Sequence, residues 1–400
     1  MSAGGVRICL WGQFGSGNFG NDASLEAMLG FLRRAAPDAR ITCVCFSPER
    51  AARDYGIETA PMAWAGGGKA FMLINRLFLR VPDKILGLWD AYRRARTFDV
   101  LIVPGTGILD DFDTRPMGLP FDTFRWFIGA RLAGAKVALV SIGAGPIRHK
   151  LSRFFMKAAA RAAHYRSYRD QYSKDYLAGL GLNTRADPVF PDLAFSLPRP
   201  ASAPAGAKKI IGVGVMDYAG WSARDANAEA VYETYIAKLS RFVAWLLAEG
   251  YGVRLILGQD EDARAMADVA KAIGAHTDLA ARPAASMRDV LEQIAMCDAV
   301  VATRFHNVVA ALKVGKPAVS LSYSAKNDAL LDSMGMAGFH QHVEAFDEEK
   351  LRTQFNTMMT ELEARRGAIA AALARVEEAL ANQENLLLAG PLKFRKTSGG

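Results

Sequence analysis

The chain has 400 residues, of which 51% are hydrophobic and 22% are charged. This composition is typical of a globular protein with about two domains, and it excludes a disordered or fibrous chain. Lys and Arg number 49 against 41 Asp and Glu, which gives a net charge of +8. The excess favours anionic ligands or surfaces, but it is too diffuse to indicate a nucleic-acid partner, and we expect none.

The four cysteines fall in or beside apolar segments, where they are expected to behave as small buried hydrophobic residues. Cys43 and Cys45 share one face of a predicted strand, but no second Cys or His pair completes a metal site, so we expect no metal. No uncharged apolar run reaches the roughly 18 residues that span a bilayer, and no signal peptide precedes the first strand. The sequence therefore predicts a cytoplasmic protein with reduced thiols.

The first predicted strand, 6–11, runs into a glycine-rich loop and then a helix. We expect Asn21 or Asp22 to cap that helix. The loop contains a Gly-x-Gly-x-x-Gly pattern at 15–20, which can cradle a phosphate at a helix N-terminus. Dinucleotide binding is disfavoured, because the loop is long and Ser47 stands where an acidic residue is expected after the second strand. We expect the loop to serve a ligand crevice in another way.

The segment 71–96 is rich in apolar and basic residues at helical spacing. A pair of helices that pack on a sheet, with Pro82 at their junction, is the favoured interpretation. The sharper alternative is a surface helix that contacts a membrane or a lipid-linked substrate. That alternative would place the protein peripherally at the inner face of the membrane.

Strands and helices then alternate, and the glycine-rich or charged turns follow strands rather than precede them. The strand 100–103 ends in the turn 104–111, and the strand 136–142 ends in the turn 143–146. In a parallel sheet such turns meet at the carboxyl edge, where open α/β sheets bind ligands.

A Pro- and Ala-rich stretch at 196–207 separates two such alternating halves and is predicted to be the interdomain linker. We expect one Rossmann-like domain at 1–197 and a second at 208–345, with helices at 346–390 that pack back on the N-terminal domain. The predicted fold class is α/β, with two Rossmann-like domains that face each other across a cleft, as in GT-B-like proteins.

The most informative stretch is 298–328, in which two predicted strands end in polar side chains. These are Arg304 and His306 after the first strand, and Ser322, Tyr323 and Lys326 after the second. The planar guanidinium of Arg can donate two parallel hydrogen bonds to a phosphate or carboxylate, and His can exchange a proton near neutral pH. The plainer interpretation is that Arg304 pairs with an acidic neighbour and that His306 caps the following helix.

With these motifs in chain order, the sequence resembles the polysaccharide pyruvyl transferase family from residue 12 to about residue 336. The resemblance is carried by Gly15, Asn18 and Gly20 of the first loop; by 104–111; by 141–146; by Arg169-Asp170-x-x-Ser173 with Leu177 and Gly181; by Arg304-Phe305-His306; and by Ser322-Tyr323-x-x-Lys326. The sequence departs from the family pattern at Asn21 and Asp22, where the family has Asp and Glu. Pro104 and Thr106 interrupt the family's glycine run.

The resemblance implies transfer of a pyruvyl group from phosphoenolpyruvate to two hydroxyls of a sugar, which gives a pyruvate ketal on a cell-envelope or exopolysaccharide precursor. Phosphoenolpyruvate is then a co-substrate, and no cofactor is expected. The acceptor would be a sugar or a lipid-linked oligosaccharide. The N-terminal domain would form the acceptor side and the cleft wall, and the second domain would bind the donor.

The resemblance also implies roles for individual residues. His306 would perform the acid–base step, with Arg304 as the second catalytic residue. Donor binding is assigned to Arg304, Arg169, Lys326, Tyr323 and Ser322. The cleft and acceptor side are assigned to Asn18, Gly20, Asp22, Gly105, Gly107, Asp110 and Gly143.

Three alternatives stay open. A GT-B-type glycosyltransferase would use the same cleft for a nucleotide sugar. A dinucleotide-dependent oxidoreductase is what the glycine pattern alone would suggest. A non-enzymatic sugar-binding protein that kept the fold would explain the altered first loop. The sequence leaves the acceptor sugar, the linkage and the oligomeric state open.

Overall fold

The computed structural model describes residues 5–64, 66, 75–77, 81–112, 114–201, 206, 208–220 and 226–393. The chain divides into two compact units. The first domain contains the segment up to Ser16, Ser24–Leu193 and the segment from Leu380 onward; the second contains Gly17–Ala23 and Ala194–Ala379. Part of the predicted linker, 202–205 and 207, lies outside the described residues.

The first domain is built on a sheet of six parallel strands in the order β3-β2-β1-β4-β5-β6. The strands are β1 (Arg7–Gly12), β2 (Arg40–Cys45), β3 (Glu58–Pro61), β4 (Val100–Pro104), β5 (Lys136–Ile142) and β6 (Tyr165–Tyr168). The helices that accompany them are α1 (Phe19–Ala35), α2 (Pro48–Tyr55), α3 (Val81–Ala95), α4 (Leu119–Leu132), α5 (Lys150–Ala162) and α6 (Gln171–Gly179).

The central strands β1, β4 and β5 are nearly continuous apolar runs, as expected for parallel strands that are covered on both faces. Every residue of β4 is buried, and β1 is buried after Arg7. The strand order reverses direction between β1 and β4, which are neighbours in the sheet but far apart in sequence. Such a reversal opens a crevice at the carboxyl edge, so turns that follow these strands are placed to bind a ligand.

The second domain repeats this topology, with strand order β12-β11-β10-β7-β8-β9. Its strands are β7 (Ile210–Gly214), β8 (Gly252–Ile256), β9 (Leu279–Ala281), β10 (Ala299–Ala302), β11 (Ala318–Ser322) and β12 (His340–His342). Its helices are α7 (Ala228–Ala248), α8 (Ala263–Ile273), α9 (Met287–Ala295), α10 (Phe305–Lys313), α11 (Ala325–Ser333), α12 (Glu348–Thr360) and α13 (Leu362–Ala389). The reversal lies between β7 and β10.

The last helix, α13, belongs to the first domain from Leu380 onward. There the side chain of Gln383 is buried, and its Nε2 donates to the hydroxyls of Ser141 (2.8 Å) and Ser167 (3.0 Å). Ser141 holds a left-handed backbone with φ of 49°, which is uncommon for a residue other than glycine. The buried amide satisfies the polar groups around this irregular point at the end of β5.

The segment predicted as membrane-facing or as packing helices is described in part. Residues 71–74 and 78–80 lie outside the described residues. Pro82 is the second residue of α3, where the absent N–H has no helical partner to lose. Within the part of the chain that the structure describes, no helix combines the length and apolarity required to cross a membrane.

A buried lysine in the second domain gives its stability a specific pH dependence. Lys313 is 5% exposed, and its Nζ donates to the carbonyl of Phe195. Burial lowers the pKa of Lys313 to about 8, well below the value of about 10.4 for an unfolded chain. Between these two values the unfolded chain binds the proton and the folded chain does not, so the free energy of unfolding rises with pH.

We therefore expect the free energy of unfolding of the wild type, relative to that of Lys313→Met, to rise by about 2 kcal/mol between pH 7 and pH 9.5. Urea unfolding of both proteins at the two pH values measures this difference and cancels other titrating groups. Lys271 is exposed, so Lys271→Met should keep the wild-type pH dependence. The same pH dependence in wild type and Lys313→Met would show that Lys313 does not cause it.

Candidate functional site

The turns that follow four neighbouring strands of the second domain carry the polar residues of the candidate site. These strands are β8, β7, β10 and β11, which lie on both sides of the topological reversal. The turn after β10 carries Arg304, and His306 follows in the first turn of α10, so both lie after this strand as the sequence predicts. The turn after β8 supplies a residue that the sequence prediction did not include, Asp262.

Arg304 forms a bidentate ion pair with Asp262. Its Nη2 donates to Oδ1 at 2.6 Å and its Nε donates to Oδ2 at 3.0 Å. The Asp262 side chain is fully buried, and the Arg304 side chain is 12% exposed. The interpretation that Arg304 pairs with an acidic neighbour is therefore correct for two of its three guanidinium nitrogens, Nε and Nη2. Nη1 takes no part in this pair.

The carboxylate of Asp262 also fixes the backbone around it. It accepts hydrogen bonds from the backbone N–H groups of Gly258, Gln259 and Asp217, at 3.0 to 3.1 Å. Burial by itself would lower the pKa of Arg304, but the charge and hydrogen bonds of Asp262 outweigh it and raise the pKa. Arg304 is thus a permanent cation held rigidly at the carboxyl edge of the sheet.

His306 lies inside α10, one residue after its start, and Arg304 is the N-cap residue of that helix. The alternative that His306 caps the helix is therefore wrong. The His306 ring packs on the backbone of Gly20, where an added Cβ would lie 1.9 Å from Nδ1. A glycine is required at position 20 because no side chain fits between the loop and the imidazole.

The loop that contains Gly20 follows β1 in the chain but belongs to the second domain. The backbone N–H of Asp260 donates to the carbonyl of Gly17 (3.0 Å), and that of Phe19 donates to the carbonyl of Gly258 (3.3 Å). The Asn18 side chain donates to Gln259. The loop therefore joins the turn after β8 and brings Gly20 to His306.

Asn18, not Asn21 or Asp22, caps helix α1. Its Oδ1 accepts from the backbone N–H groups of Gly20 (3.1 Å) and Asn21 (3.2 Å), and the helix begins at Phe19. The predicted cap was wrong because Gly17, with φ of 87°, turns the chain early enough for the helix to begin before Asn21. Asp22 is buried within the first turn of α1.

The end of β11, the turn after it and the start of α11 place Ser322, Tyr323 and Lys326 at the same edge. Ser322 donates to Asp328 Oδ1 at 2.7 Å, so its hydroxyl is engaged within the turn. The Tyr323 ring lies 6.2 Å from that of Tyr218. Lys326 is 5% exposed and lies in the first turn of α11. All three are in the second domain with Arg304 and His306.

Asp217, in the turn after β7, is a further ionisable group of this edge and was not predicted from the sequence as a site residue. Its carboxylate lies 3.7 Å from Arg264, and its backbone N–H donates to Asp262. Burial raises the pKa of Asp217, the negative charge of Asp262 adds to this, and Arg264 opposes it.

The first domain gathers a second set of predicted residues at its own carboxyl edge. Arg169 forms an ion pair with Asp192 at 3.1 Å, and both side chains are almost fully buried. A Cβ on Gly143 would lie 2.8 Å from Arg169 Nε, and one on Gly107 would lie 3.0 Å from Asp110 Oδ2. Arg169 therefore lies with the glycines assigned to the acceptor side, whereas the other predicted donor residues are in the second domain.

The turn after β4 stores backbone strain. Gly105 and Thr106 are both left-handed, with φ of 56° and 70°. Thr106 is buried, and its hydroxyl has no hydrogen-bond partner among the described residues. A non-glycine residue in this conformation costs about 1–3 kcal/mol and is typical of functional turns.

We expect Gly20→Ala to lower ligand binding and activity strongly and to change the stability of the fold little. The φ of Gly20 is not left-handed, and alanine suits the first turn of a helix, so the added methyl acts mainly by displacing His306. Gly30 in the same helix is the matched control, because its nearest atom to an added Cβ is 3.7 Å away. Gly30→Ala should raise stability by about 0.5–1 kcal/mol and leave ligand binding and activity unchanged. Equal ligand binding and activity in Gly20→Ala and Gly30→Ala would contradict the importance of the contact between Gly20 and His306.

Groups of three or more His, Cys, Asp or Glu that could hold a metal ion are not found among the described residues. The expectation that neither metal nor cofactor is required stays a prediction.

Comparisons with known proteins identify the family of the chain and proteins of similar fold. The family model described as "Polysaccharide pyruvyl transferase" matches residues 18–325, most of the chain. A search of curated proteins found no significant match.

Solved structures show the fold. The UDP-GlcNAc 2-epimerase from Neisseria meningitidis is 11% identical, with a TM-score of 0.57 over 94% of this chain and 99% of that one. The glycosyltransferase SnogD from Streptomyces nogalater is 14% identical, with a TM-score of 0.58 over 96% of this chain and 99% of that one. With the two parallel sheets, these likenesses confirm the predicted fold class of two Rossmann-like domains.

Proposed function

Since the chain belongs to the polysaccharide pyruvyl transferase family, we propose that it transfers a pyruvyl group from phosphoenolpyruvate to two hydroxyls of a sugar in a cell-envelope or exopolysaccharide precursor. The observation that supports this most is the pairing of a rigid cation with a histidine at one sheet edge. Arg304 is fixed by Asp262, and His306 is fixed against Gly20. An anionic donor that must be protonated suits such a pair.

The reaction balances with the two sugar hydroxyls as the proton source. Protonation of C3 of phosphoenolpyruvate makes C2 electrophilic, and the first hydroxyl adds to C2. The second hydroxyl then displaces phosphate and closes the ketal. One hydroxyl proton ends on C3 and the other leaves with phosphate, so no redox partner is required. His306 would deliver the proton to C3 and accept one from a hydroxyl.

Donor binding is assigned to the cations of the second domain. Arg304 Nη1 and Lys326 would hold the phosphate and carboxylate, with Tyr323 beside them. Ser322 would position the turn through Asp328. We propose the donor role of Arg169 separately, because Arg169 lies in the first domain and the other donor residues lie in the second.

The donor assignment is tested by thermal unfolding in the presence of phosphoenolpyruvate, nucleotide sugars or NAD. A ligand that binds only the folded state raises the melting temperature. At a ligand concentration of one hundred times its Kd, the free energy of unfolding rises by about 2.7 kcal/mol. We expect phosphoenolpyruvate to do so and Lys326→Met to reduce the effect.

Arg304→Ala is a poor test of donor binding, because it leaves Asp262 buried without its partner and destabilises the fold by itself. The exposed Lys271→Met serves as a control that should keep the wild-type shift. Stabilisation by a nucleotide sugar but not by phosphoenolpyruvate would instead support a glycosyltransferase.

A further inference from the structure

The outer surface of three adjacent helices in the first domain exposes large apolar side chains. Helix α4 packs against both α3 and α5. Val81, Ile85, Trp89, Leu132 and Phe154 are each more than half exposed. Leu86, Met117 and Leu151 are exposed to a smaller extent. Apolar side chains that cluster on a surface in this way mark an interaction site. We call this the helix-layer surface.

An aromatic cluster joins the three helices beneath this surface. The ring of Phe124 in α4 lies 6.3 Å from that of Phe154 in α5, and Phe121 lies 5.4 Å from Phe155. Lys84 of α3 places its Nζ 5.0 Å from the Phe121 ring. The exposed side chains therefore stand on one continuous packed layer.

Most of the exposed apolar residues lie towards the N-terminal ends of these helices. In a parallel α/β sheet those ends lie at the carboxyl edge, because each helix runs antiparallel to the strands. The turns 104–111 and 143–146 lead towards α4 and α5 from that edge. The helix-layer surface therefore borders the turns that hold Gly107 and Gly143, against which the Arg169 side chain lies.

Helix α5 adds positive charge to this surface. It carries Lys150, Arg153, Lys157 and Arg161 and no acidic residue. Lys150, Lys157 and Arg161 are spaced to share one helix face with the exposed Phe154. Arg153 and Arg161 donate to backbone carbonyls, which leaves their positive charge uncompensated by these contacts.

The three helices together carry nine basic residues against three acidic ones (Asp83, Asp90 and Asp122), so the acidic residues do not cancel this charge. Asp90 of α3 pairs with Arg94 and Arg93, and Asp122 of α4 pairs with Arg125. The surface thus combines exposed apolar and aromatic side chains with a net positive charge. Peripheral membrane-binding helices have this combination.

We infer that the helix-layer surface docks on an anionic lipid bilayer. Trp89, Ile85 and Phe154 enter the headgroup boundary, and the basic side chains of α5 contact anionic headgroups. Each basic residue near such a surface strengthens binding by about fivefold. Resting on the proposed function, the same geometry identifies the acceptor as a lipid-linked sugar that the membrane presents beside the turns of the first domain.

The test is flotation of the full-length protein with phosphatidylcholine vesicles that contain or lack 30% phosphatidylglycerol. We expect association with the anionic vesicles at 50 mM salt and at least tenfold weaker association at 500 mM salt. Ile85→Ser/Trp89→Ser and Lys150→Glu/Lys157→Glu should each lower association at least tenfold. Unchanged melting temperatures would show that the variants fold.

The control variant changes one exposed apolar residue and one exposed lysine of the second domain. Met296 and Lys271 are exposed there, so Met296→Ser/Lys271→Glu should float like the wild type. Absence of flotation with anionic vesicles, or equal flotation of all variants, would overturn the inference. So would a dimer in solution that the Ile85→Ser/Trp89→Ser variant abolishes, because the surface would then bind a second copy.

Flotation needs neither donor nor acceptor, so its outcome is independent of the proposed reaction. Once the donor and the acceptor are established, the surface variants should lose activity on a lipid-linked acceptor in anionic vesicles. They should keep activity on a short soluble acceptor. Equal loss on both acceptors would contradict a docking role. Flotation without phosphoenolpyruvate turnover would refute the proposed reaction and leave the docking surface standing.

Discussion

His306→Gln is expected to lower turnover in pyruvyl transfer by a factor of about 10² or more, while phosphoenolpyruvate affinity stays within a few-fold. His306 follows Arg304 by two residues in the chain, and its imidazole packs on Gly20. In the proposed reaction this imidazole delivers the proton to C3 of phosphoenolpyruvate. Steady-state kinetics together with the donor-induced thermal shift separate the two quantities.

His306→Asn distinguishes a chemical role from a structural one. Asparagine is a good helix cap, so it would preserve activity if His306 only completed a helix terminus. Because the helix begins at Phe305 and Arg304 is its cap, we expect His306→Asn to lose turnover as His306→Gln does. Full turnover in His306→Asn would overturn the assignment. Equal loss of donor affinity and turnover would make His306 a donor ligand.

Asp262→Ala is expected to destabilise the second domain by about 3–5 kcal/mol. It removes a fully buried carboxylate and leaves the guanidinium of Arg304 without its partner. The backbone N–H groups of Gly258, Gln259 and Asp217 lose the same acceptor. Urea unfolding measures the loss.

A double-mutant cycle with Asp262→Leu and Arg304→Met isolates the pair. The double variant should recover part of the stability lost in Asp262→Leu, because no buried charge is then left unpaired. The exposed Arg7–Asp99 pair is the control, and Asp99→Ala should cost about 1 kcal/mol or less. A loss in Asp262→Ala no larger than that in Asp99→Ala would contradict the role of Asp262.

The parts of the fold that could be predicted are those with a local signal. Apolar strands, helical periodicity and the glycine turns after strands are read from adjacent residues, so both Rossmann-like halves could be predicted. The same reasoning placed Arg304 and His306 at a sheet edge, because each follows a buried strand directly.

The parts that could not be predicted depend on contacts between distant residues. Asp262 is 42 residues before Arg304, and the acidic run after β8 gave no indication of which carboxylate would turn inward. The loop around Gly20 follows β1, yet it belongs to the second domain. The surface of α5 was missed for a related reason. Its apolar residues recur at helical spacing, and that pattern alone does not tell which face the sheet covers.

The most direct test of the central claim is a reaction with phosphoenolpyruvate labelled with ¹³C at C3 and a lipid-linked or soluble sugar acceptor. The proposed function predicts phosphate release that depends on the acceptor, together with a labelled methyl group on a quaternary ketal carbon in the NMR spectrum of the product. Transfer from a nucleotide sugar to the same acceptor, with phosphoenolpyruvate left unchanged, would contradict it.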